Sequence, residues 1–575
     1  MRSDNDTHRT GRRTFLRLAG AGAAATLLAG CSGGEGGSAD GGETEQTEAS
    51  DGGGDGGGTE RTETSDGGDD GSSTEVPEFV WLLVGAVRTL DPGGANDWPT
   101  TVVAVNYYDN LITVDSEENR PVANLATDWS VEGDGNTWVF TLRDDVTFHN
   151  GDPLTAEDVA YSMNRIMDAK LARSSLWQGF VESGNATARD ETTVEIETTR
   201  PYGPLLATMS QLFVVNSAVA AENEVDGDWG AAYLGKTVAG SGPYTLPEPL
   251  QTGDPEELEF VAYEDYWAGW EDDQFTRARM KKVKEPSTNK SLMRNGDAHM
   301  TSPFLSRETY EELDTYEDVT SLALPRPATW HISMHTRKAP TDDIHVRKAI
   351  ASAFDYRAAI DNIFGGEHAA GPVPVHMFGH NEELEPYTQD LERAREEIER
   401  SAYTVEEINE IGLEHVYVSG IERQRKLSLL LKNSLAGIGL EVELSPLPWP
   451  QMVDRAANEE STPHTMNLWF GAEFPSPDAF LTLLYHPSNF GSFMTISWFT
   501  TDELTTVLGD ARGTLDLNDR IEQYKTAQRI VWEHYPGIYI ANPPLRIALN
   551  RNVGGFTNYG VTGFEGQVHN MFWEG

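Results

Sequence analysis

From Val76 onward the sequence predicts a mixed α/β body, and three observations carry that prediction. Short apolar runs rich in β-branched and aromatic residues alternate with longer segments of helical period. About 500 residues of ordinary composition remain once the Gly- and acid-rich start is set aside, enough for two or three domains of usual size. No segment repeats at the period of a solenoid or propeller.

The amino terminus reads as an export signal. Arg12 and Arg13 open the run Arg12-Arg13-Thr14-Phe15-Leu16-Arg17, and an Ala- and Gly-rich stretch from Leu18 to Gly30 ends in Leu28-Ala29-Gly30-Cys31. Twin arginines, a short apolar region and a cysteine in that order resemble a Tat lipoprotein signal with its lipobox. A membrane-spanning helix needs about 20 apolar residues, and this stretch is shorter. The resemblance implies a signal peptide over residues 1–30 and a lipid on Cys31, which anchors the mature chain to the extracytoplasmic face of the cell membrane. Two acyl chains hold stably where one is marginal. Cys31 is the one cysteine of the chain, so disulfides, cysteine-zinc sites and thiol catalysis are excluded beyond it. Residues 32–75 are almost wholly Gly, Ser, Thr, Asp and Glu, with 13 acids against one Arg. Such a composition buries no core, so residues 31–75 read as a disordered acidic tether with an r.m.s. span of roughly 35–40 Å.

Within the body, Phe79–Val84 and Thr137–Leu142 are predicted strands. In the second, Trp138, Phe140 and Leu142 alternate with Val139 and Thr141 as on a half-buried sheet. Ala156–Met167 is a predicted helix, capped by Thr155 and carrying acids in its first turn. Further helices are predicted at Ile344–Phe354, Tyr356–Phe364, Leu391–Arg400, Arg423–Ala436 and Asp519–Tyr535. Strands are expected between them at Glu414–Val418, Leu440–Leu444, Met466–Phe470 and Gly537–Ala541.

Several blocks together carry a family resemblance. Pro121-Val122-Ala123-Asn124-Leu125-Ala126-Thr127-Asp128-Trp129 is followed by Asp134-Gly135-Asn136-Thr137-Trp138 and then by Phe148-His149-Asn150-Gly151-Asp152-Pro153-Leu154-Thr155-Ala156-Glu157-Asp158-Val159. Gly240-Ser241-Gly242-Pro243-Tyr244, Asn295-Gly296-Asp297, the run from Asp343 to Asp355 and the run from Glu473 to Phe480 follow in order. Together they resemble the family 5 extracellular solute-binding proteins, the dipeptide and oligopeptide receptors of ABC importers, over nearly all of Val76 to Gly575. The resemblance implies a two-lobed periplasmic-binding-protein-like, or Venus flytrap, fold with a discontinuous first lobe. Its lobes would be residues 76–325 plus 545–575, and residues 326–544, closing by a hinge over a ligand. The crossings fall near Pro325-Arg326-Pro327 and Asn542-Pro543-Pro544, where proline suits a stiff strand exit or an ordinary surface turn.

The implied activity is capture of a solute, most simply a peptide, and its delivery to the permease subunits of an ABC transporter. In peptide receptors of this family an acid in the stretch matching Glu473 to Phe480 pairs with the amino terminus of the ligand. Here that position is Glu473 in place of the usual Asp. A carboxylate facing an ammonium in a closing cleft satisfies a charge that would be costly unpaired. Asp478, beside Pro477, is expected to cap the helix that follows. Trp330, Trp449, Trp469 and Phe474 are candidates for the floor of the cleft, with burial in the core as the competing reading. His335 replaces an Asn usual at the end of the family's crossing strand, which puts any backbone-anchoring role there in doubt.

Composition excludes other classes. With 92 Asp and Glu against 43 Lys and Arg the formal charge is −49, and only 11 of the bases are Lys. No basic stripe for a nucleic acid stands out. Like charges at this density oppose compaction unless salt screens them, as at about 1 M, where the Debye length is about 3 Å. The surface therefore suits a halophile. No G-x-S-x-G elbow, P-loop or H-E-x-x-H motif occurs, so no enzyme and no cofactor are expected. The pairs His331/His335 and His376/His380 have i,i+4 spacing but lie in a predicted strand and among Gly and Pro residues, so no metal site is expected. His149, with no nucleophile nearby, reads as structural. Asn185-Ala186-Thr187 and Asn289-Lys290-Ser291 match the glycosylation pattern. The alternatives are the same fold binding a sugar oligomer or a nickel complex, or a lipid-anchored sensor uncoupled from import. The default oligomeric state is a monomer.

Overall fold

The structure, a computed structural model, describes residues 76–85, 87–94, 97–251 and 255–575. Arg12, Arg13, Cys31 and the acidic tether lie outside the described residues. Val76–Gly575 forms one body by its internal contacts.

The sheets of that body fall into two groups. In the first, Phe79–Leu83 runs parallel to Arg277–Lys282, which pairs antiparallel with Glu257–Ala262 and so onward to Tyr244–Thr245. A second small sheet orders Ala126–Glu132, Thr137–Leu142, Thr193–Glu197 and Ala186–Ala188. Thr137–Leu142 forms as expected, but Val139 is buried along with Trp138, Phe140 and Leu142, and Thr141 alone is fully open. The strand is central, with an antiparallel neighbour on each edge.

The second group is one sheet of six strands, in the order Glu367–His368, Gly537–Asn542, Ala328–Met334, Thr465–Gly471, Leu413–Val418, Val442–Leu447. Its middle strands are covered on both faces, and every residue of Ala328–Met334 and of Gly537–Asn542 is buried, including the polar Thr329, His331 and Ser333. The last strand starts two residues later than Leu440 and extends to Leu447. The expected helix Tyr356–Phe364 is an α-helical turn, Tyr356–Ala359, continued by a π turn, Ile360–Phe364, which stops at Gly365 with φ 67°. Thr155 and Asp158 form the capping box of the helix Ala156–Asp168, with Asp158 Oδ2 accepting from the Thr155 N–H at 2.9 Å.

Two strand pairs carry the chain from one group to the other. Val319–Leu324 pairs antiparallel with Leu545–Asn550 on the first side, and Ala328–Met334 pairs antiparallel with Gly537–Asn542 on the second. The prolines at 325, 327, 543 and 544 therefore stand in two short segments running side by side between the sheets. One apolar core extends without a break from the small sheet, through Trp177, Phe180 and Tyr202, to Phe474 and Phe480 beside the six-stranded sheet. A separate core holds the first sheet and the C-terminal segment together.

Candidate functional site

In the six-stranded sheet the C-terminal ends of Leu413–Val418, Val442–Leu447, Thr465–Gly471 and Gly537–Asn542 and the start of Ala328–Met334 all lie along one edge. The loops leaving that edge face the first group of sheets, the position from which open α/β sheets bind ligands. The carbonyl of Pro327 accepts from the Ala472 N–H at 3.1 Å, and the carbonyl of Ala472 accepts from the Thr562 N–H at 3.0 Å. The end of the strand Thr465–Gly471 is thus held against the C-terminal segment.

Glu473 follows directly. Its backbone carbonyl accepts from Gln211 Nε2 at 2.6 Å, a contact between the two sides of the molecule. Gln211 Oε1 in turn accepts from Arg173 Nη1. Arg173 is buried, donating also to the Pro92 carbonyl at 2.6 Å and to Thr101 Oγ1 at 3.0 Å. The Glu473 carboxylate is half-buried and forms no salt bridge among the described residues. Burial pushes its pKa up to about 7, against the pull of Arg173. Burial also brings the Arg173 guanidinium down to about 10, opposed by Glu473, Asp97 and Asp91. A carboxylate that resists ionisation until a cation approaches is suited to receive an ammonium.

The aromatic candidates are placed unequally. Trp469 is half-buried, lies under the Arg326 guanidinium at 4.9 Å and meets the exposed Phe304 edge-on at 6.4 Å. Trp330, its partner across the strand pair, is buried and stacked on Phe364 at 5.0 Å. Phe474 is buried in the continuous core. Trp449 opens the helix Trp449–Ala456 on the same sheet edge, 40% exposed, with its edge against Phe493. Glu473, Phe474, Trp469 and Trp330 are brought together around one strand end, and Trp449 stands apart on the next loop.

Sequence reasoning missed Gln211, Arg173 and Phe304, which approach from the other side of the molecule and share no local pattern with the Glu473 block. Asp478 requires a correction, since the helix Asp478–Tyr485 is N-capped by Pro477 and Asp478 is its first residue. Its buried carboxylate accepts from Thr482 Oγ1 at 2.5 Å and from Tyr524 Oη at 3.2 Å, and lies 3.4 Å from Arg512 Nε. Proline at the turn leaves the carboxylate free to serve the interior instead of the helix end.

The histidines are tied to backbone or core. His149 Nε2 bonds the Gly242 carbonyl at 2.9 Å, and burial lowers its pKa to about 4. His335 anchors backbone even where Asn is replaced, as Nδ1 accepts from the Arg337 N–H at 3.1 Å and Nε2 bonds the Glu459 carbonyl at 3.1 Å. His331 is buried in its strand with neither nitrogen paired. His380 bonds the Val373 carbonyl at 2.8 Å, and His376 lies 3.6 Å from Glu367. Among the described residues no group of three or more His, Cys, Asp or Glu is placed to hold a metal, and no helix is long and apolar enough to cross a membrane.

Known proteins with this pattern are solute receptors. A probable D,D-dipeptide-binding periplasmic protein of Escherichia coli is 25% identical over 480 residues, spanning 82% of this chain and 89% of that protein. Heme-binding protein A of Haemophilus influenzae is 24% identical over 480 residues, spanning 80% and 86%. A periplasmic binding protein of Helicobacter pylori in complex with the peptide STSA superposes with a TM-score of 0.73 at 22% identity, covering 87% of this chain and 98% of that one. A Pseudoalteromonas dipeptide-binding protein in complex with Met-Leu superposes with a TM-score of 0.74 at 20% identity, covering 86% and 100%. These likenesses establish the two-lobed periplasmic-binding-protein fold. The model of the bacterial extracellular solute-binding proteins, family 5 (middle), matches residues 120–492, and the chain belongs to that family.

Proposed function

We propose that this protein is the extracytoplasmic receptor of an ABC importer, catching peptides by their free amino terminus and presenting the closed form to the permease. It performs no chemistry. Lobe I comprises residues 76–325 and 545–575 and lobe II residues 326–544, hinged at the two proline-rich crossings. Contacts made by both lobes to the solute exist only when the cleft is shut, so binding shifts the population toward closure. Arg12 and Arg13 direct export by the Tat route, Cys31 carries the lipid, and residues 32–75 form the leash on which a monomeric body reaches its transporter.

The observation that supports the peptide reading is Glu473, a half-buried carboxylate without an ion-pair partner, at the strand end where Gln211 of the opposite side touches it. Relatives whose names state dipeptides and di/tripeptides as ligands point the same way. The test is a thermal-shift screen in multimolar KCl with free and amino-acetylated short peptides, sugar oligomers and nickel complexes. A peptide at 100 times its Kd adds about 2.7 kcal/mol. Free peptides are expected to raise Tm, and acetylation or Glu473→Gln to abolish the rise. Stabilisation by sugars or metal complexes alone would refute the peptide reading while leaving the receptor fold intact.

A further inference from the structure

A group of arginines gathers where the two crossing segments meet the six-stranded sheet. Arg546 lies opposite Ala323 in the two-stranded ladder. Arg326 follows the partner strand at the crossing, and Arg423 stands in the first turn of the helix Glu422–Ala436. All three are half-buried. A guanidinium carries five N–H donors. Among the described residues these three side chains make a single hydrogen bond to protein, from Arg423 Nη2 to the Leu305 carbonyl at 3.4 Å. The Nε atoms of Arg326 and Arg546 are shut away from solvent with no acceptor.

The three cations share one buried neighbour. Tyr310 donates its hydroxyl to the Ser302 carbonyl at 2.6 Å and accepts from the Leu305 N–H at 3.3 Å. Arg326, Arg423 and Arg546 all lie within electrostatic reach of that hydroxyl, and Arg423 lies within reach of the other two. Nearby carboxylates are already engaged. Glu565 accepts from Trp98 Nε1 at 2.8 Å and from the Gly563 N–H at 2.8 Å. Glu308 pairs with Lys426 at 3.3 Å, and Glu311 pairs at 2.7 Å with Arg307, a fourth cation facing Arg546. None of Arg326, Arg423 and Arg546 has a carboxylate oxygen within 4.0 Å among the described residues. In a chain with 92 acids and 43 bases, three neighbouring guanidinium groups without a direct ion pair leave N–H donors that an anion would satisfy.

We propose that Arg326, Arg423 and Arg546 hold a small inorganic anion, chloride in kind, at the junction of the two lobes. Such an ion supplies an acceptor for the orphan N–H groups and cancels repulsion that would otherwise push the crossing segments away from lobe II. The inference goes beyond the peptide reading and is tested without any peptide, so either can fail alone.

The experiment is chloride-35 NMR on the solute-free protein, with KF replaced by KCl at constant potassium. The wild type is expected to show a saturable excess line width. Arg423→Gln/Arg546→Gln is expected to lose most of it, and Arg423→Lys to keep much of it because the charge remains. In crystals soaked in KBr, a bromide peak beside at least two of the three guanidinium groups is expected. An excess that only grows linearly with chloride, a double variant that broadens the line like the wild type, or crystals without that peak would overturn the proposal.

Discussion

At the scale of the residue, Glu473 makes its own prediction through pH. Burial holds its pKa at about 7 in the unliganded protein against an ordinary 4.5. An acid raised on folding keeps its proton after the unfolded chain has lost its own, so its contribution to stability falls as pH rises from 4.5 to 7 and is constant above. A peptide ammonium reverses the balance by favouring the carboxylate, so binding releases a proton below pH 7. Affinity for free-amine peptides should therefore climb by up to about tenfold per pH unit below 7. It should then decline as the peptide amine, with a pKa of about 7.7–8.0, loses its charge. Calorimetric titration from pH 5 to 9 reads this directly, and Glu473→Gln should flatten the acid limb. An acid limb that survives in the variant would assign the linkage to another group.

At the scale of the element, the helix Asp478–Tyr485 is held by a buried charge. Arg512, from the helix Asp502–Gly513, reaches Asp478 and also stacks over Phe180 at 4.3 Å and Tyr202 at 5.2 Å. It thus ties the aromatic pair Phe180 and Tyr202 to the helix Asp478–Tyr485. Removing one partner strands the other charge, so Asp478→Ala should cost about 3–5 kcal/mol in urea unfolding at fixed salt. A loss within experimental error would show that Arg512 is already satisfied by its aromatic neighbours. The same helix marks where the sequence was legible. Its existence and the strand before it follow from an apolar run ending in Gly471 and a proline-bounded turn. The role of Asp478 did not, because Pro477 took the capping position and the carboxylate's partners lie in later helices. The place of Glu473, just past the end of the strand Thr465–Gly471, was legible through its block of neighbours. Gln211 and Arg173 were not, since they lie more than 260 residues away in the chain and meet it only through the fold.

At the scale of the whole molecule, electrostatics sets the conditions under which any of these elements hold together. The acidic tether carries only a small part of the −49 excess, so the folded body bears most of it. Ion pairs such as Arg189 with Glu132 and Glu195, or Arg279 with Glu78 and Glu257, gather several acids around each exposed base. Such exposed pairs are worth little each, and the remaining acids repel across the surface. The Debye length shrinks from about 10 Å at 0.1 M salt to about 3 Å at 1 M. If self-repulsion is the dominant cost, Tm should rise steeply up to about 1 M KCl and flatten beyond it, because little repulsion is left to screen. A rise that continues unbroken into the multimolar range would instead assign the salt effect to strengthened apolar burial, which screening does not limit. Arg423→Gln/Arg546→Gln separates this general effect from the proposed anion site. The steep rise below 1 M should persist in that variant, because it depends on the whole surface and not on three side chains.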